Sequence, residues 1–547
     1  MPQSILFLFF RIRDRGTRMA ITAKAGVARS FLKVNWQVPE AATSPCDFAE
    51  EAGHKYAGIK TCAQRKAHGI FLTPVPVAKF MAGLFSVNKK SVRLLDPSAG
   101  LGILICAVVE EMASKGFVGE IEVVAHEIDP DLCKGLEEVF ATLVCWAETK
   151  GIAVRYEIRN GDFVLSECIS LGLLAGLRES HKFDLVIGNP PYFKIGKDDS
   201  RAVAASEVVF GQPNIYGVFM AVSAAMLRHG GQFVFITPRS FASGPYFAQF
   251  REWFFERVRP KFVHVFDSRR DAFGRDEVLQ ENVIFFGIRD DGWGKKAKAE
   301  PTTVSSSHGI GDVGDARITK RSPFDLIAGK DRIFRIPASK EEETALKRVE
   351  GWKGSLAAYG LKISTGPVVA FRATKWLRPE AASNTLPLLW LNHVFSMEVH
   401  WPNGVKKPQH IVSDAEREKL LLPNRNYVLI RRFSAKEDAR RLTAGPLLAE
   451  DIPTKFIGLE NHLNYVYRPE ASLSEDETWG LAALFSSKLL DAYFRCVSGN
   501  TQVSATELRT MPLPPLAQII ELGKRVRTKK KPMEAVDGLI ADILGNE

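Results

Sequence analysis

The stretch from Phe183 to Tyr192, FDLVIGNPPY, constrains the fold of this chain more than any other. It begins with a short apolar run of the kind that forms a buried strand. Two consecutive prolines follow, and because each lacks a backbone donor they cannot extend a central strand. Asn189 to Tyr192 is therefore predicted to form a rigid loop at the carboxyl end of the strand, where open α/β sheets place their ligand crevice.

This loop carries groups suited to holding a planar ring that bears an amine. Asn189 Oδ1 and the Pro190 carbonyl could accept the two hydrogens of an exocyclic amine, while Tyr192 could stack on the ring. An ordinary strand-ending turn is the alternative interpretation. The segments that precede the loop in the chain favour the functional one.

The first of these segments reads as a strand, Val92 to Leu95, followed by the small-residue turn DPSAGLG at 96–102 and then a helix. Small residues let a backbone approach a ligand closely, and the helix start offers free amides. Asp96 stands at the end of the strand. A carboxylate there repels phosphate and attracts an amine, so the end of the ligand that meets Asp96 is predicted to be cationic.

Two further predicted strands also end in acidic residues. Ile121 to Ala125 precedes Glu127, at the position where a βαβ unit can bind ribose hydroxyls, although a solvated loop carboxylate is an equal alternative. Val154 to Arg159 precedes Asp162, which could accept from an adenine amine, and Phe163, which could cover its ring.

Apolar runs beyond the loop continue the alternation of strand and helix. They are predicted at Tyr216–Met226 (helix), Gln232–Pro238 (strand), Phe247–Glu256 (helix), Phe262–Phe266 (strand) and Asn282–Gly287 (strand). This pattern predicts an α/β fold with a doubly wound, mostly parallel, Rossmann-like sheet. Earlier in the chain, Thr73 is predicted to cap a helix over Val77 to Phe85.

Together these residues resemble the gamma class of S-adenosylmethionine-dependent adenine-N6 DNA methyltransferases. FLTP at 71–74 is similar to the motif before the cofactor loop, DPSAGLG at 96–102 to the cofactor loop, HEID at 126–129 and GDF at 161–163 to the ribose- and adenine-binding motifs, and NPPY at 189–192 to the catalytic motif. Late in the chain, 364–369 and 484–513 resemble the recognition domain of PstI/BsuBI-like type II modification enzymes.

The resemblance implies roles for individual residues. The implied cofactor-binding residues are Thr73, Asp96, Ala99, Gly100, Gly102, Glu127, Ile128, Asp162 and Phe163. The implied catalytic residues are Asn189, Pro190, Pro191, Tyr192 and Phe273, the last an aromatic that would stack on the flipped base from the other side. S-adenosylmethionine is the implied cofactor and double-stranded DNA the implied partner, with a cognate restriction endonuclease acting separately.

Four segments are predicted along the chain. They are an N-terminal extension without assigned function (1–60), a methyltransferase catalytic domain (61–290), a linker rich in Gly, Ser, Lys and Asp (291–330), and a mixed α+β target-recognition domain with a helical tail (331–547). Within the last segment, residues 351–450 carry fifteen Lys and Arg against eight Asp and Glu. Trp376, Trp390, Trp401, Tyr427 and Phe433 are interleaved with these charges. This pattern suits a DNA-facing surface, although a solvated basic surface over core aromatics is the alternative.

Composition narrows the remaining choices. The formal net charge of +10 favours a polyanionic partner, and seven scattered cysteines without a CxxC pair predict reduced thiols and no metal site. The apolar run Ile5–Phe10 is too short to span a membrane and its arginines follow it, so a cytoplasmic monomer is expected. Met19 is a possible alternative start.

Three rival functions stay open at this point. The same core could act on RNA or on a protein glutamine, although the long basic C-terminal part argues against both. A non-catalytic DNA-binding subunit would have no need of intact DPSAG and NPPY motifs. A fused nuclease has little room in the chain.

Overall fold

Nine strands form one large sheet in the first part of the chain. The computed structural model describes residues 44–59, 73–171, 182–266, 281–309, 311–414, 418–434, 438–498 and 502–545. The strands are β1 Ser91–Asp96, β2 Gly119–Glu127, β3 Ile152–Asn160, β4 Phe183–Gly188, β5 Leu227–Pro238, β6 Val258–Phe266, β7 Asn282–Arg289, β8 Thr302–Ser307 and β9 Arg317–Arg321. Their order in the sheet is β3-β2-β1-β4-β5-β7-β6-β8-β9.

The sheet is mostly parallel. β1 pairs in parallel with both β2 and β4, whereas β7 lies antiparallel to its neighbours β5 and β6. The strand order therefore reverses between β1 and β4, and the carboxyl edge at such a reversal is where doubly wound sheets bind ligands. The predicted α/β, doubly wound fold is confirmed.

Helices cover both faces of the sheet. They are Pro45–Ile59, Val75–Gly83, Ile103–Ser114, Pro130–Glu148, Phe163–Leu171, Ser200–Ala204, Ile215–Met226 and Ala248–Arg257. Alternate residues of the central strands enter opposite cores: Leu94 packs into one and Leu95 into the other. Burying a side chain of this size contributes about 1.5–3 kcal/mol relative to leaving it exposed, so the period-two pattern fixes the register strongly.

The N-terminal boundary predicted at residue 60 is corrected by the helix Pro45–Ile59. Phe48, Ala52 and Tyr56 are buried in the core that also holds β1 and β2. The Tyr56 hydroxyl donates to Asp129 at 2.8 Å. Alanine and cysteine make much of the buried face of this helix, and their weak hydrophobic contrast explains why no clear periodicity is visible over these residues.

The linker predicted over 291–330 is also corrected, because β8 and β9 lie within it and extend the sheet. The strand β8 has the sequence TTVSSS, whose hydroxyls are typical of a loop. In the structure Ser305 and Ser307 are buried, and their Oγ atoms each lie 3.0 Å from a ring nitrogen of His264. A neighbouring imidazole thus satisfies the hydroxyls that would otherwise oppose burial.

The C-terminal domain starts with the helix Lys340–Glu350 and continues as a β-rich half. Two short strands, β10 Ile327–Ala328 and β11 Ile333–Phe334, precede it. The strands that follow are β12 Lys362–Thr365, β13 Leu377–Arg378, β14 Thr385–Leu389, β15 Val394–Phe395, β16 Glu398–Val399, β17 His410–Val412, β18 Leu421–Pro423, β19 Tyr427–Arg431, β20 Ala444–Leu447, β21 Phe456–Leu459 and β22 Leu463–Tyr467. They form two main sheets, β12-β22-β19-β20 and β13-β17-β14-β21-β18.

A helical tail completes the C-terminal domain and packs on the sheet that holds β19 and β22. Its helices are Glu475–Phe485, Lys488–Val497, Ala505–Arg509, Leu516–Val526 and Pro532–Leu544. Gly480 and Gly523 face each other between two of these helices, where an added Cβ would lie 1.9 Å or less from the opposite backbone. None of the helices in the described part of the chain is long and apolar enough to span a lipid bilayer.

Candidate active site

A cavity of about 580 Å³ lies at the carboxyl ends of β1 to β4. Seven of the predicted site residues line it: Gly100, Glu127, Ile128, Asp162, Phe163, Asn189 and Pro191. Four carboxylates are among the lining groups, those of Glu127, Asp129, Asp131 and Asp162. The cavity is therefore acidic and suits a cationic ligand.

The turn after β1 forms the floor of the cavity. Gly100 and Gly102 have φ values of 55° and 79°, in the left-handed region that favours glycine. A Cβ on Gly102 would also lie 2.7 Å from the side chains of Leu136 and Phe140. Gly102 therefore serves close packing of the turn and does not line the cavity, and the same holds for the buried Ala99.

Glu127, at the end of β2, is tied to the backbone by both of its oxygens. Oε2 accepts from the Gly100 amide at 2.9 Å and Oε1 from the Asp129 amide at 2.8 Å. The side chain is buried, and burial raises its pKa above the usual value. Each oxygen keeps a second lone pair, so Glu127 can still accept hydroxyl hydrogens from a ligand.

Asp96, at the end of β1, lies just behind the cavity wall, which starts at Pro97. Oδ1 accepts from the Ser98 amide at 3.0 Å, whereas Oδ2 is buried and has no hydrogen-bond partner in the described part of the chain. Burial raises the pKa of this carboxyl to about 7. A buried oxygen without a hydrogen-bond partner lowers the stability of the folded protein by about 1–3 kcal/mol, and a cationic or donor group of a ligand would offset this cost.

Two of the residues that line the cavity, Arg201 and Phe193, were missed by sequence reasoning. Arg201 lines the cavity and is held by Asp199, with Nε–Oδ1 at 2.9 Å and Nη2–Oδ2 at 2.7 Å. Its Nη1 lies 3.7 Å from Asp162 Oδ2, and its guanidinium carbon lies 5.6 Å from the ring centre of Phe193. The only sequence signal was that Phe193 directly follows the NPPY stretch.

His126 is a further lining residue that was not predicted as a site residue. Its ring packs edge-on against Phe163 with 4.9 Å between ring centres. Burial, followed by the charge of Arg159, lowers the pKa of this imidazole to about 3. The ring is therefore neutral near pH 7 and contributes an apolar wall instead of a charge.

The side chain of Asn189 is held at both ends of its amide. Nδ2 donates to Thr73 Oγ1 at 3.0 Å, and Oδ1 accepts from the Tyr192 hydroxyl at 2.5 Å. Both partners are hydroxyls, which can donate or accept, so they hold the amide in place at both ends. Ser98 Oγ donates to the Asn189 carbonyl at 3.2 Å, which joins this loop to the turn after β1.

Thr73 has a different position from the one predicted. The helix starts at Val75 with Pro74 as its N-cap and no side-chain cap, so the predicted capping by Thr73 is wrong. The Thr73 hydroxyl contacts Asn189 and does not line the cavity. A capping hydroxyl accepts from the second or third helical amide. Counted from Thr73, the second is that of Val75, which donates to Glu50 Oε1 at 3.3 Å, and the third position is Pro76, which has no amide hydrogen.

Tyr192 is only 8% exposed and does not line the cavity. Its hydroxyl lies 3.0 Å from the Ile236 carbonyl of β5, and its ring meets Tyr216 edge-on at 6.2 Å. Burial raises the pKa of the hydroxyl well above the usual value. Pro190 is likewise absent from the cavity wall, and Phe273 lies outside the described residues.

This strand order, with an acidic cavity at the β1/β4 reversal, defines a Rossmann-like S-adenosylmethionine-dependent methyltransferase. The model of the Eco57I restriction-modification methylase family matches residues 145–273. The chain is 35% identical over 469 residues to the type II methyltransferase M.BsuBI of Bacillus subtilis, covering 84% of this chain and 90% of that protein. It is 31% identical over 480 residues to M.PstI of Providencia stuartii, covering 87% and 92%.

The chain therefore belongs to the family of type II DNA methyltransferases that includes M.BsuBI and M.PstI. It is a DNA methyltransferase of the restriction-modification kind. Among solved structures, a chain of the cryo-EM DrdV–DNA complex aligns with a TM-score of 0.47 and 12% identity, covering 88% of this chain and 59% of that one.

The cavity fits S-adenosylmethionine, the cofactor of this class. Its volume of about 580 Å³ lies within the range of about 300–1,000 Å³ usual for ligand sites. Of the predicted cofactor residues, Glu127 and Asp162 line the cavity and would suit the ribose hydroxyls and the adenine amine, whereas Asp96, whose orphaned Oδ2 is buried just outside the lining, would suit the ammonium group. When bound, the cofactor supplies a methyl group activated by attachment to a positively charged sulfur.

The cations of the β-rich half form a second candidate surface. Eleven lysines and arginines are described between residues 351 and 434, and none of them lies within 4.0 Å of a carboxylate oxygen in the described part of the chain. Four of them lie over aromatic rings instead: Arg372 over Phe371, Lys375 over Trp376, Lys407 over Trp390 and Arg431 over Phe395.

The helical tail differs from the β-rich half in how its cations are paired. Of nine lysines and arginines between residues 475 and 545, five pair with carboxylates: Lys488, Arg495, Arg525, Arg527 and Lys531. Neutralised cations attract a polyanion weakly. The unpaired positive charge is thus concentrated in the β-rich half.

The five aromatic residues predicted for this surface divide into three groups. Trp390 and Tyr427 are buried in the cores of the domain, as the alternative interpretation required. Trp376 and Trp401 are half-buried against those cores, and Phe433 is exposed. Phe371 and Phe395, which the prediction did not include, are 78% and 42% exposed.

Proposed function

We propose that this enzyme transfers the methyl group to N6 of adenine within a specific site in duplex DNA, after the base flips out of the helix. The observation that carries the proposal is the Asn189 amide, fixed by Thr73 and Tyr192 on the wall of the cofactor cavity. An acceptor oxygen in this position suits a flipped base with an exocyclic amine, because such an amine offers two hydrogens.

Asn189 acts in this proposal by accepting one of these hydrogens at Oδ1, while the Pro190 carbonyl accepts the other. The amine lone pair is delocalised into the base ring, and two acceptors localise it toward the methyl donor. Positioning and electrostatic stabilisation thus supply the rate enhancement, with no strong base required. Oδ1 can accept from the amine and from the Tyr192 hydroxyl together, since it has two lone pairs.

Tyr192 provides the stacking surface for the base. In the free protein its ring is covered and packs against Tyr216. Entry of the base would have to uncover one ring face. Base–aromatic stacking of this kind contributes about 1–3 kcal/mol, which offsets part of the few kcal/mol that unstacking costs.

The predicted DNA surface over 351–450 in the β-rich half is retained in the proposal, with residues 351–434 as its main part. Its support is the set of cations without carboxylate partners, three of which carry exposed or half-exposed aromatic neighbours. Phosphates bind the cations, and neutral stems and rings can contact bases and sugars. A cytoplasmic monomer that works apart from a cognate endonuclease completes the proposal.

Product analysis tests the proposed base. Duplex DNA methylated by the purified enzyme would be digested to nucleosides and examined by mass spectrometry, with modified-base sequencing of DNA from expressing cells to give the site. N6-methyladenine at one sequence context is expected. Methylation of cytosine N4, of RNA or of a glutamine side chain would overturn the adenine assignment, and a folded enzyme without any product would point to a non-catalytic subunit.

A further inference from the structure

Arg239 connects the sheet domain to the C-terminal domain through a buried guanidinium. It follows directly after Pro238, the last residue of β5, and is 4% exposed. Nη1 donates to Glu281 Oε1 at 2.6 Å. Nη2 lies within hydrogen-bond distance of three carbonyls: Ile336 at 3.0 Å, Arg495 at 2.8 Å and Cys496 at 3.0 Å.

Three segments that meet at Arg239 have a place in the proposed function. The first is β5 itself, whose Ile236 carbonyl lies 3.0 Å from the Tyr192 hydroxyl, three residues before Arg239. The second begins at Glu281, which directly follows residues 267–280 with the predicted base-contacting Phe273. The third holds Arg495 and Cys496, within residues 484–513 that resemble a recognition domain.

The stretch from Ser498 leads back to the β-rich half. Gln502 pairs with Phe433 in a β-bridge and its Oε1 accepts from Arg432 Nη2 at 3.3 Å. Arg432 also donates to the Asn461 carbonyl at 3.0 Å. Two separate sets of hydrogen bonds thus lie on either side of this stretch: one joins Cys496 to Arg239 at the end of β5, and the other joins Gln502 to Arg432 beside the exposed Phe433.

The contacts that Arg239 makes between the two domains are polar more than apolar. A cavity of about 210 Å³ lies beside it, lined from the sheet domain by Arg239 and Glu281 and from the C-terminal domain by Glu342, Arg441 and Arg495. The buried guanidinium fixes the relative positions of the groups that it binds, because its planar donors can satisfy several carbonyls in only one arrangement. The link is therefore directional, and a substituent without the planar fork cannot reproduce it.

We propose that Arg239 is a positioning residue that couples site recognition by the C-terminal domain to placement of the base in the active site. Movement of the helix Lys488–Val497 on DNA binding shifts the carbonyls that Arg239 holds, and the guanidinium transmits this shift to β5 and to Glu281. The inference rests on the proposed role of the C-terminal domain in reading DNA.

Arg251 provides a matched control within the same domain. It is 1% exposed and its guanidinium donates to the carbonyls of Phe241 at 3.1 Å, Gly244 at 2.8 Å and Asp331 at 2.9 Å. None of these carbonyls belongs to the C-terminal helices. Arg251 is thus an equally buried arginine that holds backbone without contacting the stretch before Ser498.

The experiment compares R239K and R251K in the full-length protein. Each keeps a charge but loses the planar fork, so both should lower the melting temperature. Three quantities would be measured. They are the cofactor affinity by calorimetry, the affinity for a duplex with the recognition site compared with one in which a single base pair of that site is changed, and the single-turnover rate of methyl transfer. R239K is expected to lose about tenfold, within the usual range of coupling between sites, in the single-turnover rate and in the preference for the correct duplex.

Cofactor affinity should stay near the wild-type value in both variants, and R251K should keep the wild-type rate and preference. If R239K does not fold, R239Q/E281Q replaces it, because removing both charges leaves no unpaired buried ion. A folded Arg239 variant that matches R251K in rate and preference would overturn the coupling. Failure of the wild-type enzyme to methylate adenine would instead overturn the proposed function, so the two failures are distinct.

Discussion

The cofactor cavity and the β-rich half use charge in opposite ways. The cavity gathers carboxylates at strand ends, and burial keeps the pKa of Asp96 and Glu127 above the usual values. Residues 351–434 of the β-rich half carry cations that meet no carboxylate within 4.0 Å among the described residues. One site suits a compact cation enclosed by protein, and the other suits a long polyanion that stays partly solvated.

The difference indicates that the two binding events can be separated by substitution. A carboxylate in the cavity acts on one ligand group at short range. Removing it should therefore have a large effect on cofactor affinity and little effect on DNA binding. A cation on an open surface is one of many that attract the DNA, and salt screens its charge. Removing it should therefore lower DNA affinity only slightly, and the change should be visible mainly in the salt dependence. The following predictions test this contrast, from the largest effect to the smallest.

Asn189→Ala should separate chemistry from both kinds of binding. We expect methyl transfer to fall by about 10²–10³-fold, as for loss of one preorganised polar group, with cofactor and DNA affinity near wild type. Single-turnover kinetics and calorimetry would measure this. Asn88→Ala, in the loop before β1, is the control. A folded Asn189→Ala enzyme with a normal rate would contradict the proposed role.

Glu127→Ala should weaken cofactor binding by about 1–3 kcal/mol, because a charged acceptor inside the cavity is lost. Affinity for DNA without cofactor should not change. Calorimetry with S-adenosylmethionine is the measurement. Glu120→Ala, at the other end of β2, removes the same charge from the opposite edge of the sheet and should leave affinity unchanged. Equal effects in the two variants would mean that net charge, not position, controls affinity.

Asp96 should make cofactor affinity depend on pH. Its pKa is raised to about 7, so the carboxylate forms only as pH rises through that value. An ionised Asp96 attracts the ammonium group, and affinity should therefore rise between about pH 5.5 and 7.5, by at most about tenfold per unit. Without cofactor the same shift lowers stability as pH rises from about 4 to 7. Asp96→Asn should bind weakly with a flat profile across this window.

The cationic surface predicts a change in salt dependence. Lys375→Gln together with Lys407→Gln should reduce the slope of log affinity against log salt by about one unit for each lost phosphate contact. Lys529→Gln with Lys530→Gln removes the same charge from the helical tail and should leave the slope unchanged. Filter binding at several salt concentrations is sufficient. A larger change from the tail pair would place the DNA on the other side of the domain.

The sequence was most informative about the strand ends, where an acidic residue follows an apolar run. The strand ends at Asp96, Glu127 and Asp162 were located from apolar runs followed by acidic turns, and the structure brings all three to one edge. Arg201 and Phe193 were missed because their position depends on the fold of the loop that follows NPPY. No local sequence pattern distinguishes an arginine that lines a cavity from one that is exposed to solvent.

Tertiary partners decided the remaining differences. The buried serines of β8 depend on His264, which is about forty residues away in the chain, so a hydroxyl-rich strand was interpreted as a linker. Likewise, Trp390 and Phe371 are both large aromatic residues within the basic segment 351–450, yet one is buried and the other exposed. Burial of this kind depends on sheet pairing, which the sequence of one chain does not specify.

The stacking of Arg372, Lys375, Lys407 and Arg431 on aromatic rings has a consequence for the entropy of DNA binding. A free lysine or arginine on a surface samples many rotamers, and ordering it on a phosphate costs about 0.5–1.5 kcal/mol. A ring beneath the side chain restricts those rotamers before DNA arrives. These four residues have therefore lost part of their conformational freedom during folding, and a larger share of each phosphate contact remains as affinity.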